Sequence, residues 1–339
     1  MSTPFGTIVA GMPKPGEDPR SIGTTRSTAD KIFRGVSGAI AATVLFVTGA
    51  IGIFLGYQMI PTLRQYGFHF FTENQWVPER NILGIKAALV GTVEVAIIAL
   101  LISFPLALLT ALYISEYAPA WLKSFLVSMI DLMAAVPSII YGLWGFFLIM
   151  PHALYIGRFL NQYFGWFPLF RVDTNPHAAV LSANYYTNSP FITGMVVSMM
   201  VIPMGCAVMR GVFAQTPIGE REAALALGAT RWGMIRSVVL PFGRGGVVGG
   251  TMLALGRALG ETIAVVLILS FNTHISAHTL QIGGVTISEL IATFFGEATS
   301  VQLSALLAAG FVLFVITLAV NTVAAVIVSR SRSGAETEI

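Results

Sequence analysis

The chain has 339 residues, of which 55% are hydrophobic and only 10% charged, with a mean hydropathy of +0.79. Soluble domains carry about a quarter charged residues, so this balance excludes one and describes an integral membrane protein. The net charge of +3 implies no nucleic-acid surface, and Cys206 as the only cysteine excludes an internal disulfide or thiolate metal cluster, leaving it as a helix-packing residue.

Residues 1–34 are polar and rich in Gly, Pro, Ser and Thr, too long a lead for an ordinary cleaved signal peptide. They are expected to form a cytoplasmic tail with little order, and the first apolar run a retained signal anchor. A hydrocarbon core about 30 Å thick takes about 20 helical residues to cross. Six stretches qualify: 35–60, 87–113, 125–150, 189–209, 244–271 and 301–328. The expected fold class is therefore all-α, with six transmembrane helices in a lipid bilayer. The corresponding division is a tail of 1–34, a first helix with its outer loop at 35–86, a transmembrane domain at 87–328, and a C-terminal tail at 329–339. An even number of crossings puts both termini on one side. If that side is the cytoplasm, thirteen basic residues lie inside and five outside, with Arg257 left within a span, and this bias supports cytoplasmic termini. The outer segments 61–85 and 151–188 are rich in aromatics, including Phe70, Trp76, Tyr155, Tyr163 and Trp166. They read as interfacial anchors, with a docking surface for an external binding protein as the second reading of the longer loop.

Four ionisable residues fall within the apolar stretches: Glu94, Asp131, Arg257 and Glu261. Each costs from about 2.5 kcal/mol upward at mid-bilayer, so each is a candidate functional group. Glu94 reads as a structural or interfacial charge near the outer boundary. Asp131 lies two helical turns before Ser138, so the two can share a polar groove near Pro137; pairing of Asp131 in helix packing near the cytoplasmic end is the equal alternative. Arg257 and Glu261 are four residues apart, so on one helix they share a face and can touch, each lowering the other's burial cost. Gly246 with Gly250, and Gly256 with Gly260, let this helix approach a neighbour closely. His274 and His278 have helical spacing but too few accompanying ligands for a metal site.

One polar segment interrupts the hydrophobic pattern: Glu220-Arg221-Glu222-Ala223-Ala224-Leu225-Ala226-Leu227-Gly228, ending at Leu240-Pro241. Thr216 can cap a first helix with Pro217 in its first turn, Gly228 can stop it, and Thr230 can cap the next, giving two short helices with a bend. Glu222, Ala223, Ala224, Gly228, Val238, Leu240 and Pro241 resemble the EAA loop of ABC importer permeases. That resemblance implies a type I ABC importer permease fold over 87–328, with a coupling loop at 210–243 docked on a cytoplasmic ATPase. Ala135 to Gly142 (AVPSIIYG) and Gly256 to Thr262 (GRALGET) narrow it to the PstC-type permease of the phosphate-specific ABC importer. Val238 stands where the EAA pattern more often has Ile.

The resemblance implies a phosphate path involving Arg257 and Glu261, to which Thr262, Asp131 and Ser138 are added as candidate lining. It also implies that Glu220, Glu222, Ala223, Ala224, Gly228, Leu240 and Pro241 form the ATPase contact. The partners it implies are a related second permease (PstA type), two copies of a cytoplasmic ATPase (PstB type) and an external phosphate-binding protein (PstS type), all at a bacterial inner membrane. A guanidinium matches phosphate oxygens, and a carboxylate can accept the proton that sulfate lacks. A neutral Arg257–Glu261 pair would not attract a divalent anion, which points to positive charge from a partner permease. The chain has no P-loop, H-E-x-x-H or G-x-S-x-G sequence. It is therefore expected to be no enzyme and to carry no catalytic residue, metal or cofactor, with ATP and magnesium bound by the ATPase subunits. A permease for molybdate, tungstate or sulfate, and a phosphate-sensing channel or scaffold, remain as alternatives.

Overall fold

The computed structural model describes residues 27–172, 184–276 and 278–330. Most of the expected N-terminal tail, His177 and residues 331–339 lie outside the described residues. Helix α1 (Thr28–Tyr66) starts inside the stretch expected to be tail, with Asp30 in its first turn complementing the helix dipole. Residues 28–51 form a unit of their own, whose apolar side chains are exposed on every side. A helix that is apolar all round is a membrane span.

Residues 52–339 form the second unit. A two-stranded hairpin, β1 (Trp76–Val77) against β2 (Ile82–Leu83), turns through Asn81 in the left-handed conformation. Then come α2 (Lys86–Leu112), ending in a π-helical turn at Tyr113–Tyr117, α3 (Ala120–Ala135), α4 (Ser138–Trp144) and the outer α5 (Ala153–Phe164). The second half contains α6 (Pro190–Ala214), α7 (Ile218–Ala226), α8 (Arg231–Met234), α9 (Leu240–Leu259), α10 (Ile263–Ile268), α11 (Ile287–Phe294) and α12 (Ser300–Ser329).

Among the described residues, five helices are long and apolar enough to cross a membrane: Thr28–Tyr66, Lys86–Tyr117, Pro190–Ala214, Arg231–Leu259 and Ser300–Ser329. The sixth expected crossing is bent by 93° between Ala120–Ala135 and Ser138–His152. Pro137 causes the break: it has no N–H to give, and it pushes Val136 to an extended ψ of 128°. The Tyr141 hydroxyl bridges the bend by donating to the Met133 carbonyl at 2.8 Å.

The fifth crossing also differs from expectation. It begins at Arg231, inside the polar segment, and stops at Leu259, so 244–271 is not one helix. The two breaks adjoin, because α4 packs on α10. A Cβ on Gly142 would stand 2.9 Å from Ala264 Cα, so only glycine allows this approach.

Packing around α9 follows the small-residue pattern. Gly246 faces Val212 of α6, and a Cβ on Gly250 would lie 3.1 Å from the Gly205 carbonyl. Gly256 instead faces Asn321 of α12. Such contacts replace the hydrophobic drive that helices lack between themselves in lipid. Thr62 and Ser304 share a buried hydrogen bond of 2.8 Å that ties α1 to α12. Phe70 and Trp76, expected as interfacial anchors, are instead buried with Leu83, Ile85, Leu290 and Leu306. The hairpin folds back and brings them in. Tyr155, Tyr163 and Trp166 remain exposed, as anchors require.

Candidate coupling surface and translocation site

Helix α7 is amphipathic over very few residues. Arg221 and Ala224 turn toward the protein, while Glu220, Glu222, Ala223, Leu225 and Leu227 face outward. Pro217 occupies the position before the helix, so Thr216 does not cap it; the Thr216 Oγ1 is buried with no partner among the described residues. Gly228 has φ +86° and ends α7 as expected, since an L side chain rarely tolerates that conformation. Thr230 caps the next helix by accepting the Gly233 N–H at 3.1 Å.

That next helix is not short. It runs through a π-helical turn at Ile235–Val239 and continues past Leu240 and Pro241 to Leu259. Pro241 lies in the first turn of α9. The part of the polar segment from Arg231 onward and the fifth crossing are thus one continuous helix, about 40 Å from Trp232 to Arg257 at 1.5 Å per residue.

Two ion pairs hold this end of the bundle, the first not foreseen from sequence. Arg221 lies 3.3 Å from Glu116 Oε1 and also donates to the Phe213 carbonyl. Glu116 is 3% exposed and sits in the π-helical turn that ends α2, so α7 is fastened to the ends of both α2 and α6. Nothing local in the sequence links positions 105 apart. Asp131 pairs with Arg210 of α6 at 3.6 Å and is 56% exposed, which is the packing alternative. It shares no helix face with Ser138, because the bend at Val136-Pro137 intervenes.

The apolar surface beside these residues has no partner among the described residues. Leu227 is 90% exposed, and Ile218, Leu225 and Trp232 are also exposed. Together with Glu220 and Glu222 they make a mixed apolar and acidic surface, which a soluble chain would rarely leave open.

Arg257 and Glu261 do not touch. The helix ends at Gly260, and the chain turns before α10. Arg257 is exposed and donates to Met200 Sδ at 3.5 Å, with no ion pair among the described residues. Glu261 is 7% exposed, and its Oε1 accepts the Ala264 N–H at 3.2 Å. The carboxylate thus satisfies an N–H otherwise left over at the start of α10, where the backbone field favours negative charge. Thr262 Oγ1 donates to the Gly260 carbonyl at 3.3 Å. The expected mutual neutralisation is replaced by an uncancelled guanidinium and a carboxylate balanced by backbone.

Ser138 opens α4, one turn before Gly142, which packs against Ala264 of α10. The structure brings together the two breaks and leaves Asp131 with the coupling end. Glu94 is half-buried and lines a small cleft with Asn272, His274 and His278.

Residues 103–333 match the family described as "Binding-protein-dependent transport system inner membrane component". The phosphate transport system permease protein PstC 2 of Mycobacterium tuberculosis is 38% identical over 309 residues, covering 90% of this chain and 93% of that protein. The phosphate transport system permease protein PstC of Xylella fastidiosa is 38% identical over 322 residues, covering 94% and 96%. A probable PstC of Methanocaldococcus jannaschii is 37% identical over 298 residues, covering 85% and 90%. Among solved structures, a bacterial alginate ABC transporter matches with a TM-score of 0.55 at 20% identity over 88% of this chain and 93% of that one, a likeness of fold. A multi-pass, mostly helical fold with two broken crossings therefore coincides with sequence kinship over most of the chain, and the chain belongs to the phosphate transport system permeases, PstC type, of the binding-protein-dependent transport family.

Proposed function

We propose that this chain is the permease subunit of an ATP-driven importer that moves inorganic phosphate across a bacterial inner membrane by alternating access, with both termini cytoplasmic. The single observation that supports it most strongly is the unbroken helix Arg231–Leu259, which joins the polar segment to Arg257. Two ATPase subunits close on ATP and press on the surface formed by Glu220, Glu222, Ala223, Leu227 and Gly228. Arg221 holds α7 against Glu116 while Thr230 starts the long helix, so a displacement of α7 is passed to its far end. Leu240 and Pro241 lie within that element and transmit rather than contact.

At the far end Arg257 offers paired donors to phosphate oxygens, and its charge is not cancelled by Glu261. Glu261 Oε2 carries no hydrogen bond among the described residues and accepts a hydrogen bond from the P–OH of monohydrogen phosphate. Ser138 and Thr262 supply hydroxyls at the adjoining breaks. A related second permease completes the pathway, and an external binding protein delivers the anion. ATP and magnesium stay with the ATPase subunits.

The test is uptake by the assembled transporter, comparing phosphate with sulfate at two pH values, for wild type, Arg257→Lys, Arg257→Ala and Glu261→Gln. Phosphate uptake is expected to fall at least tenfold in Arg257→Ala while the subunits still copurify. Unchanged phosphate uptake in that variant would remove Arg257 from the path, and equal sulfate uptake by wild type would assign a broader oxyanion cargo.

A further inference from the structure

The π-helical turn before α9, the first turns of α9 and the last turn of α12 border an open cavity of about 880 Å³. Arg236, Arg244 and Arg330 line it, and all three are exposed with no ion pair among the described residues. Its remaining wall is apolar, formed largely by Leu240, Val248 and Ile327. Arg236, Leu240, Arg244 and Val248 recur every four residues, so cations and apolar groups alternate along one stripe. The cavity opens where two membrane-crossing helices reach the coupling end of the protein.

We infer that this cavity binds an anionic phospholipid, its phosphate held by the three guanidinium groups and its acyl chains lying along the apolar wall. Free phosphate would use the arginines alone and leave the wall bare to water. A soluble acidic protein would find no apolar anchor suited to acyl depth. An anionic amphiphile at the membrane boundary matches both halves of the cavity, and basic pockets between crossing helices take such headgroups. Guanidinium is well suited because its planar donors pair two phosphate oxygens at once. The inference rests on the orientation proposed above only for the leaflet, which is then the cytoplasmic one. It does not depend on phosphate being the cargo.

The full chain would be purified from vesicles containing equal parts of phosphatidylglycerol and phosphatidylcholine, and its retained lipids counted by native mass spectrometry. Wild type is expected to retain phosphatidylglycerol in preference to phosphatidylcholine. Arg236→Gln, Arg244→Gln and Arg330→Gln are each expected to reduce that preference about fivefold, and the triple variant on the order of a hundredfold. Arg231→Gln removes one charge nearby but outside the cavity and is expected to leave the preference intact. Since each side chain is exposed, the single variants report even if the triple one folds poorly. An unchanged preference in all three singles overturns the proposal, as does inorganic phosphate replacing the retained lipid, which would make the cavity part of a free-anion route. Retention is read without transport, so failure here is distinct from failure of the cargo assignment.

Discussion

Replacing Arg221 by Ala tests whether α7 is mechanically fastened to the membrane domain. The Glu116 side chain is 3% exposed, so truncating its partner leaves a buried carboxylate with no cation and only the Ser115 hydroxyl donating to it among the described residues. Breaking such a pair costs about 3–5 kcal/mol, and the partial exposure of Arg221 argues for the lower end, about 3 kcal/mol. The Phe213 carbonyl also loses its donor, though water can replace that bond at the membrane boundary. Most other α7 side chains point outward, so the loss falls on α7 locally and not on the whole bundle. Hydrogen exchange over 218–228 is therefore expected to accelerate about a hundredfold in Arg221→Ala, with exchange in α6 little changed. ATP hydrolysis by the assembled transporter should continue while uptake per ATP falls. Adding Glu116→Gln removes the orphaned charge and should recover much of the protection, and exchanging the two charges should recover coupling. Unchanged exchange in Arg221→Ala, or a double variant no better than the single one, would refute the fastening.

Three further outcomes follow from single positions. Gly228→Ala forces a side chain into φ +86° with open space around it, so a purely conformational cost of about 1–2 kcal/mol is expected, seen as weaker ATPase association without loss of the transmembrane fold. Gly142→Ala places a methyl 2.9 Å from Ala264 Cα and should lower the thermal midpoint through overpacking worth about 1–3 kcal/mol, with uptake reduced because the two breaks are pushed apart. Glu289 lies outside the crossings, where burial pushes its carboxyl up to about 8 against the lowering effect of the Thr286 N–H. The folded protein keeps this proton while the unfolded chain loses it near 4.5, so stability falls as pH rises between these values. Exchange protection of α11 should decline from pH 5 to pH 8 in wild type and stay flat in Glu289→Gln.

Local signals in the chain were enough for much of the site. Gly228 and Thr230 announced the bend because left-handed glycine and a hydroxyl cap act within a few residues. Gly246 and Gly250 announced a close helix contact because lack of a side chain is a property of the position itself. The pairing of Arg257 with Glu261 was misread because helical spacing holds only while the helix continues, and Gly260 ends it. The groove shared by Asp131 and Ser138 is lost for the same reason at Pro137, while the other reading of Asp131, pairing in helix packing, agrees with its contact to Arg210. Phe70 and Trp76 were read as surface anchors because composition cannot show that a hairpin folds them inward.

The sequence by itself determined that this is a multi-pass membrane protein, that one polar segment interrupts the apolar pattern with a bend, and which charges fall within the apolar stretches. These are consequences of hydropathy, capping and spacing, all of which are local. Only the tertiary structure decided which charges meet. Glu116 finds Arg221, Asp131 finds Arg210, and Arg257 is left uncancelled, because ion pairing depends on which helices pack and where each one breaks.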